Sequence, residues 1–221
     1  MDSHMAGHTE TIPLKEPWDV DRRLAELGLT REGLIRAAHA ARAERNNATD
    51  LHPANAPGTF SYHHGVAAIR REYLGGVHHK HKGPDWVLDR QDGIEAIRNE
   101  LLGVKVSFCN VDVACGKDHP KPRSDKGAGA ERASGPSLFE HFGAGELKPV
   151  VRMPIAGPAL FYLMVDQQGR AELTRPVIAR RTFIAAVERI FLIEDGEGED
   201  TILPLHTDGI ADGFEPQIVR K

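Results

Sequence analysis

The stretch WVLDRQDGIEAIRNELLGVKVSFCN, residues 86–110, carries the strongest secondary-structure signal in this chain. Residues 86–88 are bulky and apolar, which favours a short strand. Asp92 and Glu95 follow with the spacing of a helix capping box. Apolar residues then recur at helical intervals and predict the buried side of a helix: Ile94, Ile97 and Leu101.

A second strand is expected directly after this helix. Gly103 provides the stop signal, and residues 104–108 alternate between apolar and polar side chains, as a half-buried strand does. Beyond Asn110 the apolar positions change phase, which predicts a β-bulge there. The pattern therefore predicts a strand, helix and strand in one contiguous unit.

Toward the amino terminus, capping signals predict helices. Asp19 is the expected cap of a short helix that Gly28 stops, and Thr30 is the expected cap of a second helix running to about Asn46. A third helix is expected to begin at Ser61 and to end before two glycines at 75 and 76. Its apolar stripe has helical spacing and consists of Tyr62, Val66, Ile69 and Tyr73.

The last third of the chain is predicted to be rich in strands. Residues 160–165 and 170–175 flank a turn and predict a hairpin, and residues 183–193 suggest a short helix leading into a strand. The expected fold class is α+β, with N-terminal helices, a central strand-helix-strand unit and a β-rich C-terminal third in one mixed sheet. Residues 17–221 are expected to form one domain.

The expected N-terminal tail, or extended arm, covers residues 1–16, and its first five residues, from Met1 to Met5, resemble a cloning remnant. The 221 residues carry a net charge of −4 and a hydrophobic fraction of 40%, which permits a sizeable core. No bilayer-length apolar run or secretory signal is visible, so we expect a cytoplasmic protein without a membrane partner. Cys109 and Cys115, the only two cysteines, are expected on one strand, reduced and too far apart for a mutual disulfide.

Residues 116–135 are almost free of apolar side chains and rich in Gly, Pro, Lys and Arg, which predicts a mobile loop. Loops of such length in compact domains are usually functional or disordered. Glycine permits close approach to a phosphate, and basic side chains supply charge-assisted hydrogen bonds. The Walker and dinucleotide-binding patterns are both missing from this loop, so a nucleotide-triphosphate site is not expected.

The leading functional hypothesis is an accessory module that binds an anionic partner, foremost nucleic acid or another polyanion. A basic third helix and the basic Gly-rich loop would supply the contacts. The candidate residues are His63, His64, Arg70, Arg71, Lys121, Arg123, Lys126 and Arg132. The competing interpretation of the same residues is a solvated helix face and a flexible linker.

A metal-dependent nuclease is the enzymatic alternative, and a divalent metal is the only cofactor that it would require. Acids on the predicted helix and the following strand, with a nearby lysine, could hold the ion and stabilise developing charge. The candidates are Glu95 (or Glu100), Asp112, Glu146 and Lys148. The weakness of this hypothesis is that Glu95 is already expected to cap a helix.

Two further possibilities concern zinc and a protein partner. Structural zinc could use Cys109, Cys115 and His119, with the histidines at 78, 79 and 81, but the spacing matches no common zinc module. Residues 194–215 contain eight acids and no Lys or Arg. This acidic C-terminal region could be the contact surface of an interaction or inhibitor protein.

Overall fold

The computed structural model describes residues 11–74, 86–134 and 157–194. Helices occupy the N-terminal part and a six-stranded mixed sheet follows, which confirms the predicted α+β class. The elements are α1 (Pro17–Glu26), α2 (Arg31–Asn46), α3 (Ala56–Tyr73), β1 (Trp86–Asp89), β2 (Ala96–Asn99), β3 (Val104–Asn110), α4 (Ala128–Ser134), β4 (Ala159–Val165), β5 (Ala171–Ala179) and β6 (Thr182–Ile193). None of the helices in the described ranges is long and apolar enough to cross a membrane.

The strands are ordered in the sheet as they are in the chain. Neighbouring strands are antiparallel except for β3 and β4, which run parallel from the pair Val104 and Ala159 to the pair Asn110 and Val165. The carboxyl ends of β3 and β4 therefore lie side by side at one edge of the sheet. Residues that follow both strands are brought together at this edge.

The two faces of the sheet have separate cores because alternate residues of a strand point to opposite faces. Phe161, Leu163 and Val165 of β4 pack in the same cluster as buried residues of α1, α2 and α3. Leu160 and Met164 belong to the opposite cluster, which contains Ala130 of α4 and buried residues that follow β3. The three long helices thus cover one face, and α4 covers part of the other.

Thr30 caps α2 as predicted, and its side-chain oxygen accepts a hydrogen bond from the Gly33 amide at 3.2 Å. The first helix begins two residues earlier than the predicted Asp19 cap, at Pro17, whose fixed φ suits a first helical position. The third helix begins at Ala56 rather than at Ser61. A proline at 57 lies in its first turn and allows this earlier start.

The predicted helix between Asp92 and Gly103 is wrong. Residues 91–93 form a single 3-10 turn, with Asp92 at φ 59°, and β2 follows as a strand paired with both β1 and β3. The spacing of Ile94 and Ile97 fits a helix locally, but two neighbouring strands satisfy the backbone of this segment instead. Glu95 contacts Arg70 and does not act as a capping residue.

Three smaller expectations after Asn110 also need correction. The register between β3 and β4 continues unbroken to Asn110, so the strand ends there without a bulge. Cys115 lies beyond the strand, at φ 55°, and does not share it with Cys109. The predicted hairpin from 160 to 175 is confirmed, whereas β6 is a strand throughout and has no initial helix.

The segment predicted to be a loop at 116–135 contains α4, which its composition did not indicate. Backbone hydrogen bonds attach the part before α4 to the carboxyl end of β3 and to the β5–β6 turn. The Arg123 amide donates to the Asn110 carbonyl at 2.9 Å, and the Lys126 amide donates to the Arg181 carbonyl at 2.8 Å. The mobility of this segment in solution stays a prediction.

Candidate functional site

The predicted nucleic-acid-binding residues do not share one environment. Arg70 forms an ion pair with Glu95, and Arg132 lies 3.0 Å from a carboxylate oxygen of Asp92. Each of these guanidiniums already has a counter-ion on the protein. A phosphate would have to compete with that carboxylate.

Lys126 is occupied by contacts inside the protein. Its Nζ lies 3.0 Å from Cys109 Sγ and 5.1 Å from the centre of the Tyr162 ring. The second aromatic neighbour, Phe183, lies 5.4 Å away, so the ammonium sits among a thiol and two π-faces. These contacts anchor the basic Gly-rich loop, which we also call the basic segment, to the core on the face of the sheet that α4 covers.

His63 and His64 are exposed in the interior of α3, because this helix begins at Ala56. A helix start at Ser61 would have placed both histidines in the first turn, beside its free amides, and the observed start places them about two turns inside the helix. His64 Nδ1 lies 3.5 Å from a Glu44 carboxylate oxygen. Arg71 is also exposed on α3 and has a partner within the protein.

Arg123 belongs to a group that the sequence did not reveal, which we call the arginine cluster: Arg42, Arg45, Arg123 and Arg170. The first two come from the end of α2, Arg123 comes from the segment attached to β3, and Arg170 directly precedes β5. All four surround the β4–β5 turn at residues 166–169. The cluster thus lies at the edge where the parallel strands β3 and β4 end.

Gln167 connects two of these arginines. With its amide oriented to satisfy both groups, its side-chain oxygen accepts hydrogen bonds from Arg45 Nη2 at 3.1 Å and from Arg123 Nη2 at 3.0 Å. An amide oxygen carries no formal charge, so it does not neutralise the two guanidiniums. Two like charges are held together here by a neutral acceptor.

Asp166 is the carboxylate at this turn, and it is buried and committed to other donors. It accepts hydrogen bonds from the Ala114 amide at 3.1 Å, the Arg170 amide at 3.0 Å and Arg170 Nε at 2.6 Å. The charge of Asp166 is therefore matched by that of Arg170. The positive charge of the other three arginines exceeds what this acid balances.

The electrostatic effect is visible at Arg45. Burial lowers the pKa of its guanidinium, the positive charge of Arg123 lowers this pKa further, and Asp166 raises it. A lowered pKa means that the environment disfavours the charged form. An added anion would reverse this effect and would be stabilised by the same groups.

Gly169 provides the space for Arg42. Its φ is +89°, and a Cβ placed there would lie 2.6 Å from Arg42 Cδ and 2.8 Å from Arg42 Nε. The side chain of Arg42 therefore crosses the turn where any other residue would obstruct it. Arg42 and Arg123 are exposed and Arg45 is half-buried, so the cluster is open to a partner.

Arg42 and Arg45 were missed because their chain neighbours carry no motif. The available signal was their spacing of three residues near the end of a predicted helix, which places both on one face. A basic pair at a helix end is common, since it also complements the helix dipole. Only the fold shows that Arg123 reaches the same place.

The nuclease candidates are dispersed or outside the described residues. Glu95 is bound by Arg70, which lowers the pKa of the carboxyl, and Arg90 lowers it further. Asp112 accepts hydrogen bonds from the Val113 and Lys121 amides, both at 2.7 Å. Glu146 and Lys148 lie outside the described residues.

The zinc hypothesis also lacks a converging ligand set in the described part of the chain, where no three His, Cys, Asp or Glu side chains group around a possible ion. The Cys115 thiol donates to the carbonyls of Ala171 at 3.2 Å and Ile193 at 3.3 Å. Burial raises the pKa of Cys109 and of Cys115, so both remain thiols near neutral pH. The histidines at 78, 79 and 81 and the acidic region after Glu194 are outside the described residues.

Comparison of the chain with protein-family models, with curated proteins and with solved structures gave no significant match.

Proposed function

We propose that this protein is an accessory module that binds the phosphate backbone of nucleic acid through the arginine cluster. The observation that carries the proposal is the contact of Arg45 and Arg123 with one neutral oxygen, that of Gln167. Lys121, exposed on the same segment as Arg123, extends the basic surface. In this proposal the end of α2 takes the place of the third helix, and the basic Gly-rich loop keeps the role expected from the sequence.

A phosphate oxygen would be a stronger acceptor for these arginines than the Gln167 amide. The bonds to Gln167 are already charge-assisted on the arginine side, and a phosphate would add the Coulomb attraction of an opposite charge. The planar guanidinium also matches two phosphate oxygens at once, which a lysine cannot do. Arg45 and Arg123 are already held near each other, so little ordering would be needed on binding.

The local charge supports this proposal even though the whole chain has a net charge of −4. Binding to a polyanion depends on the local field, and a concentrated basic patch can act within an acidic protein. Phosphate contacts position a protein on nucleic acid and carry no sequence information, so we expect weak sequence preference.

The test is fluorescence anisotropy with labelled duplex DNA, duplex RNA and single strands over a range of salt concentrations. We expect binding that weakens with salt, because phosphate contacts release counter-ions. Arg45→Gln and Arg123→Gln should each lower the salt slope on duplex DNA by roughly 0.9 per lost contact. The effect should be similar for different sequences.

Arg36→Gln is the matched control. Arg36 lies on the same helix, α2, but its guanidinium is paired with Glu72 at 3.1 and 2.7 Å. The Arg36→Gln variant removes one positive charge, as Arg45→Gln does, but leaves the arginine cluster unchanged. Equal losses for Arg36→Gln and Arg45→Gln would refute the assigned site, and absence of binding at low salt and micromolar concentration would refute the function.

Competition with heparin separates nucleic acid from polyanions in general. If heparin binds while every nucleic acid fails, the arginine cluster recognises another polyanion. The nuclease alternative stays a prediction, and cleavage products that appear only with a divalent ion would support it.

A further inference from the structure

A cavity of about 390 Å³ lies between the N-terminal arm, residues 115–117 and β6, and none of the four arginines of the cluster lines it. This volume falls within the size range of small-molecule pockets. The residues that line the cavity are Thr11, Ile12, Pro13, Lys15, Cys115, Gly116, Lys117, Arg189 and Phe191.

One wall is the extended arm at residues 11–15, which is fixed along β6. The Leu14 amide donates to the Arg189 carbonyl and the Phe191 amide donates to the Leu14 carbonyl, both at 2.9 Å. Thr11 makes a further side-chain hydrogen bond to the Ala186 carbonyl. The arm thus adds a short parallel pairing to the sheet edge.

The floor is built around a buried ion pair between Arg189 and Glu172. Arg189 Nη2 lies 2.7 Å from Glu172 Oε2, and the Cys115 amide donates to the same oxygen at 2.6 Å. Arg189 Nη1 also lies 3.4 Å from the Lys117 carbonyl. These bonds join the sheet to residues 115–117, which form the wall of the cavity opposite the arm.

The lining combines positive charge with an aromatic ring. Lys15 Nζ lies 4.8 Å from the centre of the Phe191 ring, and Arg189 Cζ lies 5.0 Å from it. Glu172 balances Arg189, whereas Lys15 and Lys117 are exposed at the rim. Ile12 and Pro13 add apolar surface on the arm.

We propose that this cavity binds a small organic anion, with a carboxylate or phosphate group near Lys15 and Lys117 and a flat apolar group beside Phe191. The cavity is a binding site rather than a covalent one, because the Cys115 thiol is bonded to backbone carbonyls and burial raises its pKa. This proposal is independent of nucleic-acid binding.

The test uses NMR titration of the whole chain with benzoate, phenyl phosphate and the uncharged benzamide. We expect benzoate and phenyl phosphate to shift the backbone amides of Lys15, Lys117 and Phe191 and benzamide to shift them far less. Lys15→Met and Lys117→Met should each weaken benzoate binding by about tenfold, the size of a lost charge-assisted hydrogen bond. The ratio of the two anions separates carboxylate from phosphate ligands.

Arg22→Met is the control, since it removes an exposed charge on α1 that pairs with Asp19 and does not line the cavity. Arg22→Met should leave benzoate affinity unchanged. A loss of affinity in this variant would indicate a general effect of surface substitutions on folding. Equal shifts with benzoate and benzamide, unchanged affinity in both lysine variants, or no shift at millimolar ligand would each overturn the proposal. Shifts confined to the amides of Arg45 and Arg123 would also overturn it, since they would place the anion in the arginine cluster.

Discussion

Glu172 of β5 and Arg189 of β6 form a two-point ion pair diagonally across the two strands, with Nε to Oε1 at 3.1 Å and Nη2 to Oε2 at 2.7 Å. The side chains are 0% and 4% exposed. Glu172→Leu leaves the buried guanidinium without its counter-ion and should cost about 3–5 kcal/mol in the free energy of unfolding. Glu172→Leu with Arg189→Met removes both charges and should cost clearly less than the sum of the single variants. Urea denaturation of the four proteins in the cycle measures this coupling.

Additive losses in that cycle would show that the pair contributes independently through its two side chains. They would contradict the assignment of Glu172 as the partner that makes the buried Arg189 tolerable.

Gly65 and Gly58 of α3 provide a matched pair of substitutions. A Cβ at Gly65 would lie 2.4 Å from Cε2 of the buried Phe108 ring, whereas a Cβ at Gly58 meets nothing within 4 Å. Gly65→Ala should destabilise the protein by about 1–3 kcal/mol through overpacking. Gly58→Ala should stabilise it by up to about 1 kcal/mol through helix propensity. Thermal unfolding of both variants checks the signs, and a stabilising Gly65→Ala would contradict the packing of α3 on β3.

Gly129 tests how α4 is attached to the sheet. Its Cβ would lie 2.0 Å from the Asp92 carbonyl oxygen, while a Cβ at Gly127 meets nothing within 4 Å. Gly129→Ala should therefore displace α4 and speed tryptic cleavage after Lys126 and Arg132, and Gly127→Ala should not. Wild-type protein cut as fast as Gly129→Ala would show instead that the segment is mobile, as its composition predicts.

The contribution of Glu95 to the stability of the fold is expected to depend on pH, because Glu95 is paired with Arg70. The hydrogen bond from Arg70 lowers the pKa of Glu95 below its ordinary value of 4.5, and Arg90 at 3.3 Å contributes less. A carboxyl with a lowered pKa stabilises the fold above its ordinary pKa and loses this contribution as the pH falls through the lowered value. Arg70→Gln should return the Glu95 pKa toward 4.5, and Arg90→Gln should shift it less. NMR titration of the Glu95 carboxyl carbon decides between these outcomes.

The sequence predicts those elements whose signals are local. The Thr30 cap, the strand β3 and the hairpin of β4 and β5 depend on neighbouring residues, and the structure contains all three. The alternation of β3 predicts a half-buried strand, which is wrong, because Lys105 and Ser107 are buried as well as their apolar neighbours. The region of β2 was mistaken for a helix because Ile94 and Ile97 have an interval that fits a helix. Its pairing with strands on both sides is a long-range effect that the interval does not carry.

The arginine cluster could be predicted only in part for the same reason. Arg123 was a candidate from its basic segment, but its neighbours Arg42 and Arg45 belong to a helix far away in the chain. Their meeting depends on the parallel pairing of β3 with β4, which brings the segment after β3 beside the β4–β5 turn. The role of Gln167 follows from that pairing and has no sequence signature.

Gln167→Glu tests the arginine cluster by placing a carboxylate where the neutral amide now contacts Arg45 and Arg123. The new charge should neutralise the pair, raise the Arg45 pKa and stabilise the fold by up to about 1 kcal/mol. The same change should weaken nucleic-acid binding, because the carboxylate occupies the place proposed for a phosphate. Gln168→Glu is the control, since it adds an equal charge to the next residue of the same exposed turn. Anisotropy titrations should show a larger loss of affinity and a smaller salt slope for Gln167→Glu than for Gln168→Glu. The unfolding midpoint should also be higher for Gln167→Glu than for Gln168→Glu. Equal losses in the two variants would mean that only the general field of the turn matters, and the specific assignment of Arg45 and Arg123 would then be wrong.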